Sequence, residues 1–514
     1  MMNNLDATVL LEQITGSLPY FLPEIVCSLV FIAAIFIDLF TRKQSRSLVP
    51  FFVFAGLLLA LFFTLDQFRT VKEDIWLFNG MIRLSPAGII YKLLFLLAAM
   101  VTHILSIRSK AIRLAPKGYA EFFIMLPVFI VGLNIMSMSS HLLMIFLGME
   151  MVSIASYILV AYTAEQPRSA EAAVKYALFG ALSSAVMLYG ISLLYGLTGT
   201  LSLQGSTFLA NLSKAPEYIS ALAILMVLAG FLYKISAVPF HFYVPDVYEG
   251  TPAPVIAFLS TAPKAAGFAV LFTFIGVFTL PMESYHLVWP KFNWENILVF
   301  ISICTMTLGN LSALAQKNVK RMMAYSSIAH TGFMMMPLLV FSEMSAASLV
   351  FYIVVYVLMN LAIFLLVGHM EEAYGATELE SYKGLAAFNP LLSVCMVIVL
   401  ASLVGLPPTG GFTGKFLVFS SVLEAYRISH NPWLLYLLVA AVLNTVIALF
   451  FYLRLPLYMY FRKAEKIYTS KTPLYLLVIM CLLGAGILVA GVFPSELVKW
   501  ISAHTAEAAQ IRFK

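Results

Sequence analysis

The chain is a succession of apolar runs, each close to the length needed to cross a bilayer, separated by short polar connections. In hydrocarbon every backbone N–H and C=O must find its partner within the protein, so runs of this kind can only be helices packed side by side. With ~20 apolar residues as the ruler, about fourteen spans are expected. They lie near residues 20–41, 47–65, 85–107, 119–138, 141–163, 170–196, 218–239, 253–279, 295–315, 323–341, 346–369, 388–424, 432–461 and 473–494. Residues are 61% hydrophobic and 11% charged, and the mean hydropathy is +0.94, outside the range of soluble globular domains. The expected fold class is an all-α polytopic membrane protein. The net charge of +6 is read by its position in the connections, and no nucleic-acid partner is implied.

Basic residues alternate between connections. One set carries Arg42, Lys43, Arg46, Arg108, Lys110, Arg113, Lys117, Arg168, Lys317, Lys320, Arg321, Lys383, Arg462, Lys463, Lys466 and Lys471. The other has only Arg69, Lys72, Arg83, Lys214, Lys291 and Arg427, before a tail with Lys499, Arg512 and Lys514. The positive-inside rule makes the first set cytoplasmic, and an even number of spans then puts both termini outside. Residues 1–18 lack a basic n-region and a cleavage site, so the first span is expected to be its own insertion signal. The longest connections are about twenty residues, too short for a nucleotide-binding or catalytic domain. GGFTGKF at 410–416 resembles a phosphate-binding loop, but its glycine spacing is wrong and Phe416 stands where a Ser or Thr would hold magnesium. The four cysteines, Cys27, Cys304, Cys395 and Cys481, lie singly in apolar runs and read as small hydrophobes.

Two spans are broken. In LAGFLYKISAVPFHFYVPDVYEGTPAPVIAFLSTAPKAAGF, residues 228–268, Pro239 and Pro245 interrupt the helix that carries Lys234. In SLVGLPPTGGFTGKF, residues 402–416, Pro407, Pro408, Gly410 and Gly411 interrupt another just before Lys415. Irregular backbone at membrane depth is tolerated only inside protein or beside a water-filled cavity. An odd number of spans separates the two breaks, so one unit is inverted relative to the other, the signature of transporters whose sites lie at discontinuous helices.

Ionisable side chains in such helices are costly to bury and mark pathways or sites. The set is Lys92, Glu150, Lys175, Lys234, Lys264, His330 and Lys415, with His241 at the exit of the first break. Glu150 sits about ten residues from either end of its span, out of reach of water for a short side chain, and is expected to form an ion pair. Lys264 lies roughly 18 Å along its span at ~1.5 Å per residue, too deep to snorkel. Lys415 can be held by the partly negative carbonyl end of the preceding half-helix. Lys175 has Glu171 four residues earlier, the favourable order for a salt bridge, which rivals a relay role. His330, with Ser326 and Ser327 one turn back, suits proton transfer near neutrality, or is a hydrogen-bonded core residue. Lys92 and His103 show no obvious partner and read as structural, and Arg454 reads as snorkelling to the nearer surface. A row of lysines that can release protons when desolvated, as arginine cannot, biased by one carboxylate, is what a proton relay requires.

These residues resemble a known family. FLPEI (21–25), FLGMEMVSIASYIL (146–159), EAAVKYALFGALSSAVMLYG (171–190), KISAVPFHFYVPDVYEGTPAPVIAFLS (234–260), KRMMAYSSIAHTGF (320–333) and GLPPTGGFTGKF (405–416) are similar to the antiporter-like membrane subunits of respiratory complex I. That family is related to the Mrp cation/proton antiporters, and the resemblance is to its subunit N branch (NuoN/NdhB type). It implies fourteen helices with two inverted five-helix repeats. The division is then 1–118 for the N-terminal helices, 119–280 and 281–462 for the repeats, and 463–514 for the last helix and tail. It implies relay roles for Glu150, Lys234, Lys264 and Lys415, and polar positions at Lys175, Glu171 and His241. Sister subunit M is expected to have glutamate where Lys415 stands, and subunit L a long lateral helix beyond the last span.

The implied function is proton translocation within an NADH-quinone oxidoreductase. No redox cofactor is expected in this chain. Flavin and iron–sulfur clusters belong to partner subunits, and the quinone used by the complex is not expected to bind here. Partners are the lipid bilayer and neighbouring antiporter-like and small membrane subunits, most simply in a bacterial plasma membrane. A subunit of a multi-subunit sodium/proton antiporter, or a structural scaffold subunit, are the alternatives.

Overall fold

The structure, a computed structural model, describes residues 7–41, 47–204, 206–279, 294–464 and 472–509. The basic residues Arg42, Lys43, Arg46, Lys291, Lys466, Lys471, Arg512 and Lys514 lie outside the described residues. The helices of the first part are α1 (Ala7–Ser17), α2 (Leu22–Thr41), α3 (Leu48–Thr70), α4 (Pro86–Arg108), α5 (Lys110–Arg113), α6 (Ala120–Met138) and α7 (Leu142–Val160). There follow α8 (Pro167–Thr198), α9 (Ser206–Leu212), α10 (Glu217–Ile235), α11 (Val244–Gly250), α12 (Ala253–Leu259) and α13 (Ala262–Thr279). The remainder comprises α14 (Trp294–Ala315), α15 (Val319–Met335), α16 (Glu343–Tyr374), α17 (Leu385–Phe388), α18 (Pro390–Val404), α19 (Gly410–Ser429), α20 (Pro432–Phe461), α21 (Leu474–Val492) and α22 (Pro494–Ala509).

Among the described residues, twelve helical segments are long and apolar enough to cross a membrane. The other two expected spans are α15, shorter and rich in polar side chains, and the α18/α19 pair, which the second break divides. Span ends follow local chemistry. The Asn318 side chain accepts from the Arg321 N–H to start α15, and Ser342 with Ser345 forms a capping box at α16. Helix α16 is buried on nearly every face, as expected of a helix apolar all round, and packs against α12, α18, α19, α21 and α22.

The connections gather at two ends. At one, Ser109 donates to Glu372, Lys117 to the Ala161 carbonyl and Lys320 to the Thr251 carbonyl, while Gly384 N–H bonds to Tyr458. This end collects the lysine- and arginine-rich connections. At the other, the hairpin of β1 (Ile75–Leu77) and β2 (Ile82–Leu84) meets Ser140, Gln204 and the Ser17 hydroxyl. Helix α22 lies against α4 and α16, and its Trp500 and His504 rings pack on Phe68. Hairpin and α22 are elaborations that the span count does not contain.

Lys92 has a partner after all. Its ammonium lies 2.8 Å from Glu24 Oε1 and donates to Gln67 Oε1 at 2.9 Å, with both charged side chains fully buried. Asn134 Nδ2 donates to the same carboxylate at 2.7 Å. The pair thus ties α2, α3, α4 and α6 together, and neighbours in sequence gave no hint of it because its members sit on different helices. Arg454, half-buried, donates to the Leu314 carbonyl at 2.7 Å and the Gln316 carbonyl at 3.1 Å, capping α14 at the end that carries Lys317. His103 packs between the Phe54 and Phe123 rings.

Removing one member of a buried ion pair costs about 3–5 kcal/mol, whereas replacing both by apolar groups is close to neutral. We therefore expect Lys92→Met to lower the midpoint of thermal unfolding in detergent sharply, and Glu24→Leu combined with Lys92→Met to restore most of the loss. Equal midpoints for the single and double variants would show that the pair contributes nothing to packing.

Candidate functional site

Helix α10 ends at Ile235 because Ser236 takes a left-handed conformation (φ 63°), and the chain turns through Tyr243 before α11 resumes. Lys234 therefore sits in the last turn before the first break, buried, and donates to Ser153 Oγ at 3.1 Å. Ser153 is on α7, one turn from Glu150. The expected direct ion pair is absent among the described residues: Glu150 accepts instead from Ser184 on α8. It is also half-buried, not sealed in. On α7 the exposed side chains Leu143, Leu147, Ile154 and Ile158 recur at helical spacing, and Glu150 stands in the middle of that stripe.

The second break has the same logic. Helix α18 ends at Gly405 (φ 91°), a left-handed position that glycine adopts without strain. Gly411 N–H then bonds to Ser402 Oγ at 3.1 Å, and a Cβ at Gly411 would collide with the Ser402 carbonyl. Lys415 curls back to the freed carbonyls of Val404 at 2.8 Å and Leu403 at 3.3 Å, its ammonium 4.6 Å from the Phe333 ring centroid. The carbonyl end of the half-helix holds the cation, as the sequence suggested.

Between the breaks lies a string of hydroxyls. Lys264 donates to Ser327 Oγ at 2.6 Å and to Thr331 Oγ1 at 3.3 Å, and Thr331 in turn donates to the Ile235 carbonyl beside Lys234. Ser327 Oγ meets Tyr356 Oη at 2.8 Å. The His330 ring packs on Tyr356, with Nδ1 2.8 Å from Tyr352 Oη and Nε2 3.1 Å from Tyr452 Oη. Tyr452 also contacts Ser326. The Phe333 ring that faces the Lys415 ammonium also lies 6.3 Å from the His330 ring, centroid to centroid. The structure thus brings Lys264, His330 and Lys415 into one buried polar row, with Lys234 and Glu150 at its other end.

Lys175 and Glu171 lie apart from the row. Lys175 bonds to Glu171 at 2.6 Å and to Asp246 at 2.7 Å, and Arg321 bonds to Asp246 at 2.7 Å and Glu249 at 2.8 Å. These pairs fasten the second half-helix, α11, to α8 and α15. His241 is buried in the turn of the first break, stacked on Phe242, and its Nδ1 has no hydrogen-bond partner. Among the described residues no group of three or more His, Cys, Asp or Glu is placed to hold a metal. Tyr352, Tyr356 and Tyr452 escaped sequence reading, because a tyrosine in an apolar run looks like core and its partners come from other helices.

Broken helices that each place a lysine beside freed backbone, joined by buried hydroxyls, define an ion-conducting membrane protein. A family model for the transmembrane region of NADH:quinone oxidoreductase and Mrp antiporter subunits matches residues 139–447. NADH-quinone oxidoreductase subunit N 2 of Chloroherpeton thalassium is 38% identical over 446 residues, 87% of this chain and 86% of the relative. A chain of respiratory complex I from Thermus thermophilus is 29% identical with a TM-score of 0.77, covering 94% of this chain and all of that one. A chain of the Mrp complex from Dietzia sp. superposes with a TM-score of 0.78 over 97% of this chain and 99% of its own, at 18% identity, which speaks for the fold alone. The chain belongs to this NADH:quinone oxidoreductase/Mrp antiporter membrane family, and within it to the subunit N type.

Lys234 bonds to Ser153, one helical turn from Glu150 on α7, so coupling between the two charged groups would act across that turn. In NADH-driven proton pumping by membranes, Glu150→Gln combined with Lys234→Ala should cost less than the two single losses added, by about 0.5–3 kcal/mol when rates are expressed as barriers. Strict additivity would mean that the two groups do not communicate.

Proposed function

We propose that the chain is the proton-translocating subunit N of an NADH-quinone oxidoreductase, and that Glu150, Lys234, Lys264, His330 and Lys415 form its relay. The observation that carries this reading is the buried row from Lys264 through Ser327 and Tyr356 to His330 and on to Lys415. Each member can both give and accept a hydrogen once the lysines are desolvated; Lys264, Ser327 and Tyr356 are hydrogen-bonded in turn, the His330 ring packs on Tyr356, and the Phe333 ring lies near both His330 and Lys415. A lysine ammonium has no lone pair to offer sodium but can hand on a proton when desolvated, so the moved species is the proton. Electron transfer belongs to peripheral subunits with flavin and iron–sulfur clusters. This chain supplies no redox group, and quinone reduction reaches it as a change in charge or shape at its neighbours.

The two repeats, 119–280 and 281–462, would each contribute one break, and the N-terminal helices 1–118 would flank them. Lys175, Glu171 and His241 act at the rim of the first unit: Lys175 and Glu171 by holding α11, His241 by bordering its turn. Glu150 in its apolar stripe is the face for a neighbouring antiporter-like or small membrane subunit, which would take the carboxylate out of contact with lipid. The end carrying the basic connections is cytoplasmic and the termini lie outside. Accordingly, Ala115→Cys should be shielded from an impermeant thiol reagent added to intact cells and Lys72→Cys should be modified. The reverse pattern would overturn the orientation.

The relay role of Lys415 is tested by charge against titration. If the residue only supplies a fixed charge to the Val404 and Leu403 carbonyls, arginine should serve nearly as well. If it must release its proton each cycle, arginine fails, since its pKa stays above ~12. The expected result is that Lys415→Arg and Lys415→Ala both lose most of the protons pumped per NADH oxidised, with assembly on native gels intact. Near-normal pumping by the arginine variant would refute the relay.

A further inference from the structure

Away from the relay, at the end with the basic connections, a cleft of about 680 Å3 opens between the start of α3, the end of α4 and Tyr119. Its chemistry is graded along the helix axis. At the mouth stand Arg108 and Arg113, both exposed, and no carboxylate lies within ion-pair distance of either among the described residues. Arg108 stacks over the Tyr475 ring at 4.9 Å, which holds its guanidinium in place. The stretch 108–117 carries Arg108, Lys110, Arg113 and Lys117 and no acidic residue. Deeper, the walls are Phe51, Phe54 and Ile104. Phe51 is 74% exposed, so the cleft continues onto the outer apolar face that α3 turns to hydrocarbon.

The inner wall is closed: His103 is fully buried there, its ring between those of Phe54 and Phe123 and beside the Pro50 carbonyl. It lies five residues before Arg108, roughly 7.5 Å deeper at ~1.5 Å per residue. A ligand with an anion at one end and hydrocarbon beyond would match the arginine mouth and the aromatic wall of the cleft in turn.

We propose that this cleft binds one anionic glycerophospholipid, its phosphate between Arg108 and Arg113 and its acyl chains along Phe51 and Phe54. Basic pockets between transmembrane helices on the cytoplasmic side suit such headgroups, and the fork of a guanidinium matches phosphate oxygens. The site makes the flanking helices α3 and α4 sensitive to the lipid composition of the membrane. Only the charge at the mouth distinguishes this lipid from the bulk, so a zwitterionic lipid should bind weakly.

The test uses the intact complex purified in mild detergent and a photoreactive phosphatidylglycerol carrying a diazirine on its acyl chain. Adducts should map to peptides 47–54 and 103–113 and disappear with excess unlabelled phosphatidylglycerol, but not with phosphatidylcholine or inorganic phosphate. Arg108→Gln combined with Arg113→Gln should reduce the adduct several-fold while NADH-driven pumping persists. Equal labelling by a phosphatidylcholine probe, loss of label with inorganic phosphate alone, or adducts confined to another subunit would each overturn the proposal. The competition experiment on the unaltered complex decides the matter even if the double variant fails to assemble.

Discussion

A helix broken inside hydrocarbon leaves carbonyls with nothing to accept from, and that deficit organises the core of this protein. Each unsatisfied group costs several kcal/mol, and a buried ammonium without acceptors costs more. Here the two deficits cancel at Lys415, whose charge meets the Val404 and Leu403 carbonyls. The geometry needed is narrow. Gly405 must turn left-handed, Gly411 must admit the Ser402 carbonyl, and Ser402 must supply a hydroxyl to the Gly411 N–H. The break and the cation therefore require one another, and neither is intelligible as a separate feature.

Much of this was legible in the chain. Apolar runs gave the spans, prolines and glycines gave both breaks, and the lysines beside them stood out because such residues are expensive in a bilayer. What stayed hidden was pairing between helices. Lys92 read as a charge without a partner, and only packing brings Glu24 within 2.8 Å of it with Gln67 and Asn134 around them. Glu150 read as a buried carboxylate in need of a lysine. The structure instead turns it toward an outward stripe, with Ser184 as its direct partner, while Lys234 bonds to Ser153 one turn away. Depth along a helix can be counted from sequence, but the direction a residue faces depends on neighbours that sequence spacing does not name.

The same limit applies to Lys175. Its spacing from Glu171 is the ordinary helical pair, and that bond exists, yet the lysine also reaches Asp246 across to α11. With Arg321 on Asp246 and Glu249, the second half-helix is fastened by charge where a continuous helix would have been fastened by its own backbone. Such pairs are partly exposed and individually weak. Acting on a seven-residue helix that is cut off from α10, they set its position relative to the turn that holds His241.

The string of hydroxyls has a consequence of its own. A serine or tyrosine O–H points one way along a chain of hydrogen bonds, and handing on a proton leaves it pointing the other way. Under the proposed relay, Ser327 and Tyr356 would face backwards after one passage, and no second proton could follow in the same direction until each O–H had swung round again. The wire must be rewound between uses. Nothing in the hydroxyls themselves favours outward over inward, so the sense of travel is imposed from the two ends, and the same file of side chains serves equally well in reverse.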